Sequence, residues 1–311
     1  MAKKTLIGWT NATFNAWQGC TEISPACENC YAAALAKRSG QVKWGAGEPR
    51  RRTTPSNWRQ PIKWNEEAQR NGMRLRVFCN SLSDVFDNEV PDEWRQDLWN
   101  LILATPYLDW ILLTKRIGNA KDMLPYGFGT EAYSNIWLGI TVANQQEADR
   151  DIPKLLAINA PTTFLSIEPM LGEIDLHKAG ALFAGPCGGG GETGPVEYDC
   201  VGFVDWVIVG GESGPNARPT HLKWIRKLQI QCEGAGIAFF FKQWGEWVGG
   251  IGEKGSFIYL QNGQNTVTDA TTHYWGNGVI SQRVGKKHAD NTLDGVIYEQ
   301  FPKRKLCNQD F

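Results

Sequence analysis

Cys20-Thr-Glu-Ile-Ser-Pro-Ala-Cys27-Glu-Asn-Cys30-Tyr31 places three cysteines within eleven residues, between an aromatic extended run and an Ala-rich helical one. Three thiolates this close, in a loop stiffened by Pro25, predict one metal centre and leave one coordination position without a cysteine. A structural zinc site closes that position with a further Cys or His, whereas a cluster held by three cysteines leaves one iron open for chemistry. Upstream, Thr5 to Gln18 carries Trp9, Phe14 and Trp17 and reads as a first strand. Downstream, Tyr31 to Arg38 is a strong helix former with basic residues at its end. Its amino end lies beside the thiolates, where the positive end of the dipole favours an anionic sulfur cage. The stretch is therefore the joint of a strand–loop–helix unit.

That unit recurs. Apolar, β-branched runs follow at Leu75–Cys79, Trp110–Leu113, Ile136–Val142, Thr163–Ile167, Trp206–Val209 and Ile237–Phe241. Amphipathic segments such as Asp92–Ala104, Gln145–Leu156 and Leu222–Gly234 lie between them. Buried strands alternating with helices predict a parallel sheet. The expected fold is α/β: a complete or partial (β/α) barrel of about six to seven parallel strands, residues 1–247, with a small irregular C-terminal appendage, 248–311. No G-x-G-x-x-G follows the first strand and no G-x-x-x-x-G-K-[ST] occurs, which argues against nucleotide-binding sheets of those kinds. The Gly-rich run beginning at Gly185 reads as a loop or lid insertion near 185–200, since neither a lysine nor a helix start follows it.

With 32 basic and 33 acidic residues, the chain advertises neither a nucleic-acid nor a membrane partner by its overall charge. No apolar run reaches the roughly 18–20 residues that span a bilayer, and Met-Ala-Lys-Lys-Thr lacks a signal-peptide core. Eight cysteines in 311 residues are too sparse for a disulfide scaffold, so a reducing cytoplasm is expected. The four histidines share no ligand spacing. Gln41 to Trp64 is locally different: Lys43, Arg50, Arg51, Arg52, Arg59 and Lys63 alternate with Trp44, Trp58 and Trp64. Its prolines and Thr pair predict irregular structure. Basic residues attract phosphate and aromatic planes stack on bases; a connecting loop whose tryptophans pack on the domain is the equal alternative.

The three-cysteine loop, with its C-x-x-C pair and adjacent aromatic, resembles the radical S-adenosylmethionine (SAM) enzymes, although six residues separate its first two cysteines where three are commonest. Phe14-Asn15-Ala-Trp17-Gln-Gly-Cys20, Asn80-Ser-Leu-Ser-Asp84-Val-Phe, Leu113-Thr-Lys-Arg116, Trp137-Leu-Gly-Ile-Thr141-Val, Ser166-Ile-Glu168-Pro169, Gly210-Gly-Glu-Ser-Gly214 and Phe241-Lys-Gln-Trp-Gly-Glu-Trp247 sharpen it. Together they resemble the phage-associated three-Cys-motif radical SAM-like family over most of the chain. The resemblance implies a [4Fe-4S] cluster on Cys20, Cys27 and Cys30, with SAM at the open iron. It also implies an external electron donor such as flavodoxin or ferredoxin, and hydrogen abstraction by a 5′-deoxyadenosyl radical. A monomer in the host cytoplasm is expected. The favoured substrate is a modified pyrimidine in phage DNA, rearranged as a single-stranded or flipped base. A free nucleotide, peptide or partner protein is the alternative within enzymes. A zinc-containing nucleic-acid-binding module without catalysis is the alternative outside them.

In a barrel the working residues collect at the carboxyl ends of the strands, and polar residues stand there in succession. By resemblance, Asn80, Ser81, Ser83 and Asp84 after the second strand face the amino group of SAM, with Tyr31 beside the cluster, although the usual Gly-Gly-Glu is absent. Lys115 and Arg116 after the third strand suit a cofactor carboxylate or a substrate phosphate. Thr141 and Asn144 after the fourth suit ribose hydroxyls, and Ser166 follows on the fifth. Glu168, Glu212 and Lys242 are the candidates for substrate binding or proton handling. Lys286 and Lys287 suit phosphate contacts, with a solvated tail as the favoured alternative.

Overall fold

The computed structural model describes residues 5, 7–182, 203–252 and 271–303. The Gly-rich insertion near 185–200 lies outside them. Seven strands form one parallel sheet in sequential order: β1 (Ala12–Phe14), β2 (Leu75–Cys79), β3 (Leu108–Thr114), β4 (Ile136–Thr141), β5 (Thr162–Ile167), β6 (Trp206–Gly210) and β7 (Ala238–Gln243). The sheet curls into a half-barrel whose end strands, β1 and β7, do not pair with each other. The helices are α1 (Tyr31–Ser39), α2 (Pro55–Trp58), α3 (Gln60–Arg70), α4 (Asp92–Leu103), α5 (Ile117–Met123), α6 (Gln145–Leu156) and α7 (Leu222–Gly234).

Side chains alternate along each strand, so the curl has two apolar layers. Phe78, Ile111, Trp137, Phe164, Trp206, Ile208 and Phe240 join Trp9 in one cluster. Val77, Leu112, Leu138, Leu165, Val207 and Phe241, next to these along the strands, belong to the larger cluster shared with the helices. The first cluster is an aromatic plug: Trp206 meets Trp137 edge-on at 5.8 Å and Phe240 at 6.1 Å. Each fully buried ring contributes roughly 1.5–3 kcal/mol of apolar burial. Gly139 on β4 makes room for it, since a Cβ there would lie 2.4 Å from the Phe164 ring.

Irregular structure over Gln41–Trp64 is corrected by α2 and α3. Pro55 and Pro61 sit in the first turn of these helices, where the missing N–H has no partner to lose. Thr54 caps α2 by accepting from Asn57 N, and α3 buries Trp64 and Ala68. The prolines and the Thr pair start helices here rather than prevent them.

After β7 the chain forms an antiparallel sheet from β8 (Trp247–Ile251), β9 (Thr272–Gly276) and β10 (Val279–Arg283), with β10 in the middle. It then returns to the barrel. Phe241 N donates to Tyr298 O and Gln300 N to Phe239 O, covering the edge of β7. Phe301 stands 5.3 Å from Trp206 and joins the aromatic plug. No helix among the described residues is long and apolar enough to cross a membrane.

Candidate functional site

A cavity of about 570 Å³ opens at the carboxyl ends of the strands. Trp9, Phe78 and Phe240 from the aromatic plug lie along it, and residues at or just after the carboxyl ends of β2 to β7 give it its polar lining. Cys20, Cys27 and Cys30 all line it, and none is in a disulfide.

Local turns set the three thiols. The short strand Trp17–Gln18 pairs antiparallel with Arg51–Arg52 and delivers the chain to Cys20. Ser24 accepts from Ala26 N and starts the single turn Pro25–Cys27. Cys30 N then donates to Cys27 O, and Cys30 precedes the first residue of α1. Among the described residues no three His, Cys, Asp or Glu side chains converge as one metal ion requires. A single zinc ion draws its sulfurs to about 2.3 Å from one centre. An iron–sulfur cage gives each thiolate its own iron, so its ligands stand apart. Three unpaired thiols lining one cavity are, by their chemistry, a donor set of the second kind.

Three arginines grip this loop from different elements. Arg50, fully buried, donates to Thr21 Oγ1 at 2.8 Å and pairs with Asp87 at 2.8 Å. Arg116 donates to Cys20 Sγ at 3.2 Å and to Thr21 O at 2.9 Å. Arg218 donates to Pro25 O at 2.9 Å and to Glu28 at 2.8 Å. From the fourth side, Ser24 Oγ donates to Glu147 Oε1 at 2.6 Å. Burial pushes the Cys20 thiol up to about 11 against the pull of Arg116. The basic stretch is thereby divided. Arg50 is structural, and Arg52 pairs with Asp97 and lies over the Trp58 ring. Lys43, Arg51, Arg59 and Lys63 stay exposed, and Trp44 lines the cavity.

The loop after β2 is largely committed to holding its neighbour. Ser83 Oγ donates to Trp17 O, Ser81 Oγ meets Asn15, and Tyr31 OH donates to Ser81 O. Asp84 is buried, with Oδ1 accepting from Thr114 Oγ1 and Oδ2 from Lys115 N and Arg116. Asn80, at φ 59°, accepts from Ala16 N through Oδ1, while its buried Nδ2 has no partner among the described residues. Asn80, Ser81, Ser83, Asp84 and Tyr31 all line the cavity, as do Lys115, Thr141 and Ser166. Lys115 Nζ donates to Thr141 Oγ1 at 3.3 Å. Asn144 is placed otherwise than expected: it does not line the cavity, and its carboxamide caps α6 by accepting from Glu147 N. Arg116 lines the cavity as well, with its guanidinium bonded to Cys20 Sγ and Asp84 Oδ2.

Glu168 and Lys242 meet at 2.7 Å in the cavity, and Gln243 Nε2 donates to the other Glu168 oxygen at 2.8 Å. Glu212 lines the cavity too, but its carboxylate is occupied. It takes Arg218 Nε at 2.9 Å and Nη2 at 2.6 Å, Arg218 N at 2.8 Å, and Asn29 Nδ2 at 3.1 Å. Asn29 lies between Cys27 and Cys30, so Glu212 is a clamp on the cysteine loop. Sequence reasoning missed the clamp because Arg218 and Asn29 meet only through folding. Burial pushes the Glu212 carboxyl up, but the Arg218 bonds outweigh it and hold it below the ordinary 4.5. A depressed carboxyl contributes stability above the unfolded value and loses it as pH falls through the folded one. Glu212→Gln is therefore expected to lower stability at pH 7 by about 2 kcal/mol. That deficit should shrink below about pH 4.5. Urea midpoints across pH 3–7 check this; a deficit that stays constant with pH would refute the charged clamp.

The fold and site define an α/β protein whose curled parallel sheet opens on a cavity walled by three unpaired cysteines. Residues 4–302 match the family model described as "Protein of unknown function (DUF5131)", and the chain belongs to that family. No curated protein matches it in sequence. Among solved structures, it is similar to a spore photoproduct lyase mutant with bound AdoMet and dinucleoside spore photoproduct, at 10% identity and TM-score 0.40, covering 88% of this chain and 68% of that one. It is also similar to spore photoproduct lyase complexed with dinucleoside spore photoproduct, at 9% identity and TM-score 0.43, covering 91% and 71%. Overlap at that level carries neither ligand nor activity over to this chain.

Proposed function

We propose that the chain is a radical SAM enzyme acting on a nucleic-acid base, with a modified pyrimidine in phage DNA as the favoured substrate. The observation that carries the first part is three unpaired thiols lining a cavity at the strand ends that the aromatic residues Trp9, Phe78 and Phe240 also line. Cys20, Cys27 and Cys30 would hold a [4Fe-4S] cluster, which would supply the electron for reductive SAM cleavage and hydrogen abstraction, with a donor such as flavodoxin or ferredoxin as its source.

The chain's own residues do the rest. Trp9, Phe78 and Phe240 keep water from the cavity floor. Asn80 lines the cavity with a buried Nδ2 that has no partner among the described residues, and Lys115 offers a cation beside Thr141 to a carboxylate or phosphate. Lys242 Nζ donates to Glu168 Oε2 at 2.7 Å, a pair suited to holding a polar substrate group or moving its proton. Gln243 orients that carboxylate by bonding both Glu168 and Ser213. The nucleic-acid part rests on exposed Lys43, Arg51, Arg59 and Lys63 on the segment that carries Trp44 to the cavity: cations for phosphates, an indole for stacking.

Reduced, anaerobically reconstituted protein with SAM is expected to release 5′-deoxyadenosine faster with DNA containing modified pyrimidines than without substrate. Stimulation by nucleosides or peptides alone moves the substrate to the alternative class. A colourless protein carrying one zinc and cleaving no SAM sinks the proposal.

A further inference from the structure

We infer that Arg116 is a positioning residue that, through Cys20, sets how readily a cluster held at this site accepts an electron; the inference rests on the iron–sulfur reading above. The guanidinium is buried at the end of β3. Its Nη1 lies 3.2 Å from Cys20 Sγ and 3.4 Å from Asp84 Oδ2, and its Nη2 donates to Thr21 O at 2.9 Å. Asp84 is itself held by Thr114 Oγ1 at 2.7 Å and Lys115 N at 3.0 Å, so the fork has little freedom to turn away. Among the described residues, no such cation is bonded to the sulfur of Cys27 or Cys30.

The sign follows from charge. A cluster becomes more negative on reduction, and hydrogen bonds and positive charge at its sulfurs favour that state. Arg cannot give up its proton in a protein, so the donor is permanent. Arg116→Met removes the cation and leaves Asp84 buried and uncompensated near the same sulfur. Both changes oppose reduction. Arg116→Lys keeps a charge but loses the planar fork that reaches the sulfur and the Thr21 carbonyl together.

The test is a redox titration of the reconstituted cluster followed by electron paramagnetic resonance, in wild type, Arg116→Met, Arg116→Lys and Thr21→Val. Thr21→Val cuts the Arg50 tether at Thr21 Oγ1 without altering charge, and reports loop loosening alone. For Arg116→Met, the reduced-to-oxidised ratio at a fixed potential should fall about tenfold, a displacement of about 59 mV for a one-electron couple. Arg116→Lys should move in the same direction by less, and it decides the matter if the Met variant does not fold. Thr21→Val should titrate like wild type. Unmoved potentials in the Arg116 variants, or an equal shift in Thr21→Val, overturn the inference. Wild type without iron and sulfide overturns the radical reading and this inference together.

Discussion

Replacing Cys20, Cys27 or Cys30 with Ala is expected to strip the anaerobically reconstituted protein of iron and sulfide and reduce SAM cleavage to background, while leaving it folded. The two halves of this expectation have separate causes. Among the described residues Cys20, Cys27 and Cys30 are the only cysteines lining the cavity, and two cannot replace the third. The loop, however, does not depend on metal for its shape. Arg50, Arg218, and Ser24 with Glu147 hold its backbone and side chains at Thr21, Pro25 and Ser24. A structural zinc site behaves oppositely, because its binding energy is folding energy and its removal unfolds the domain. The urea midpoint of each variant should therefore correspond to a loss of no more than about 1 kcal/mol. Retained iron and sulfide in Cys27→Ala would refute the ligand assignment. Collapse of the fold in all three would point to a structural metal instead.

Gly211→Ala should have the largest effect on stability, about 3 kcal/mol, read from urea denaturation at neutral pH. A Cβ at Gly211 would lie 1.9 Å from Trp244 O, 2.8 Å from its carbonyl carbon and 3.1 Å from Thr220 Oγ1. The obstacle is backbone, so no side-chain rotation relieves it. The opposing segment cannot retreat cheaply either. Trp244 is buried, packs edge-on to Phe241 at 5.2 Å and donates its indole N–H to Thr292 O. At Gly245, φ is +79° and a Cβ would stand 2.1 Å from Glu212 O, so the two loops touch backbone to backbone in both directions. Separating them pulls Glu212 from its place on the cysteine loop and Gln243 from Glu168. Loop movement at the site should thus accompany the lost stability. A variant as stable as wild type would show that the loops part without cost.

Much of the scaffold is local in origin and was legible as such. The apolar β-branched runs from Leu75 to Phe241 are strands because each is buried on both faces, which leaves a continuous apolar signature in sequence. Gln145–Leu156 and Leu222–Gly234 read as helices with the bounds the structure has. Over Gln41–Trp64 the prolines by themselves predict irregular structure, but whether Pro55 and Pro61 break or begin a helix depends on where the preceding chain turns.

The same division holds at the site. The sequence alone determined the run of strands and the polar residues at their ends, because period and chain position are written in residue order. It also determined the grouping of three thiols in one short loop. Only the tertiary structure decided what those polar groups do. Glu212 and Arg116 became supports for the cysteine loop, Asn144 a helix cap, and Asp84 a buried anchor, while Glu168 and Lys242 came to face each other. The reason is that a charged side chain, once buried, must bond to whatever opposite charge or dipole lies within about 3 Å. In this chain those partners are separated by as many as 193 residues, as Arg218 and Pro25 are.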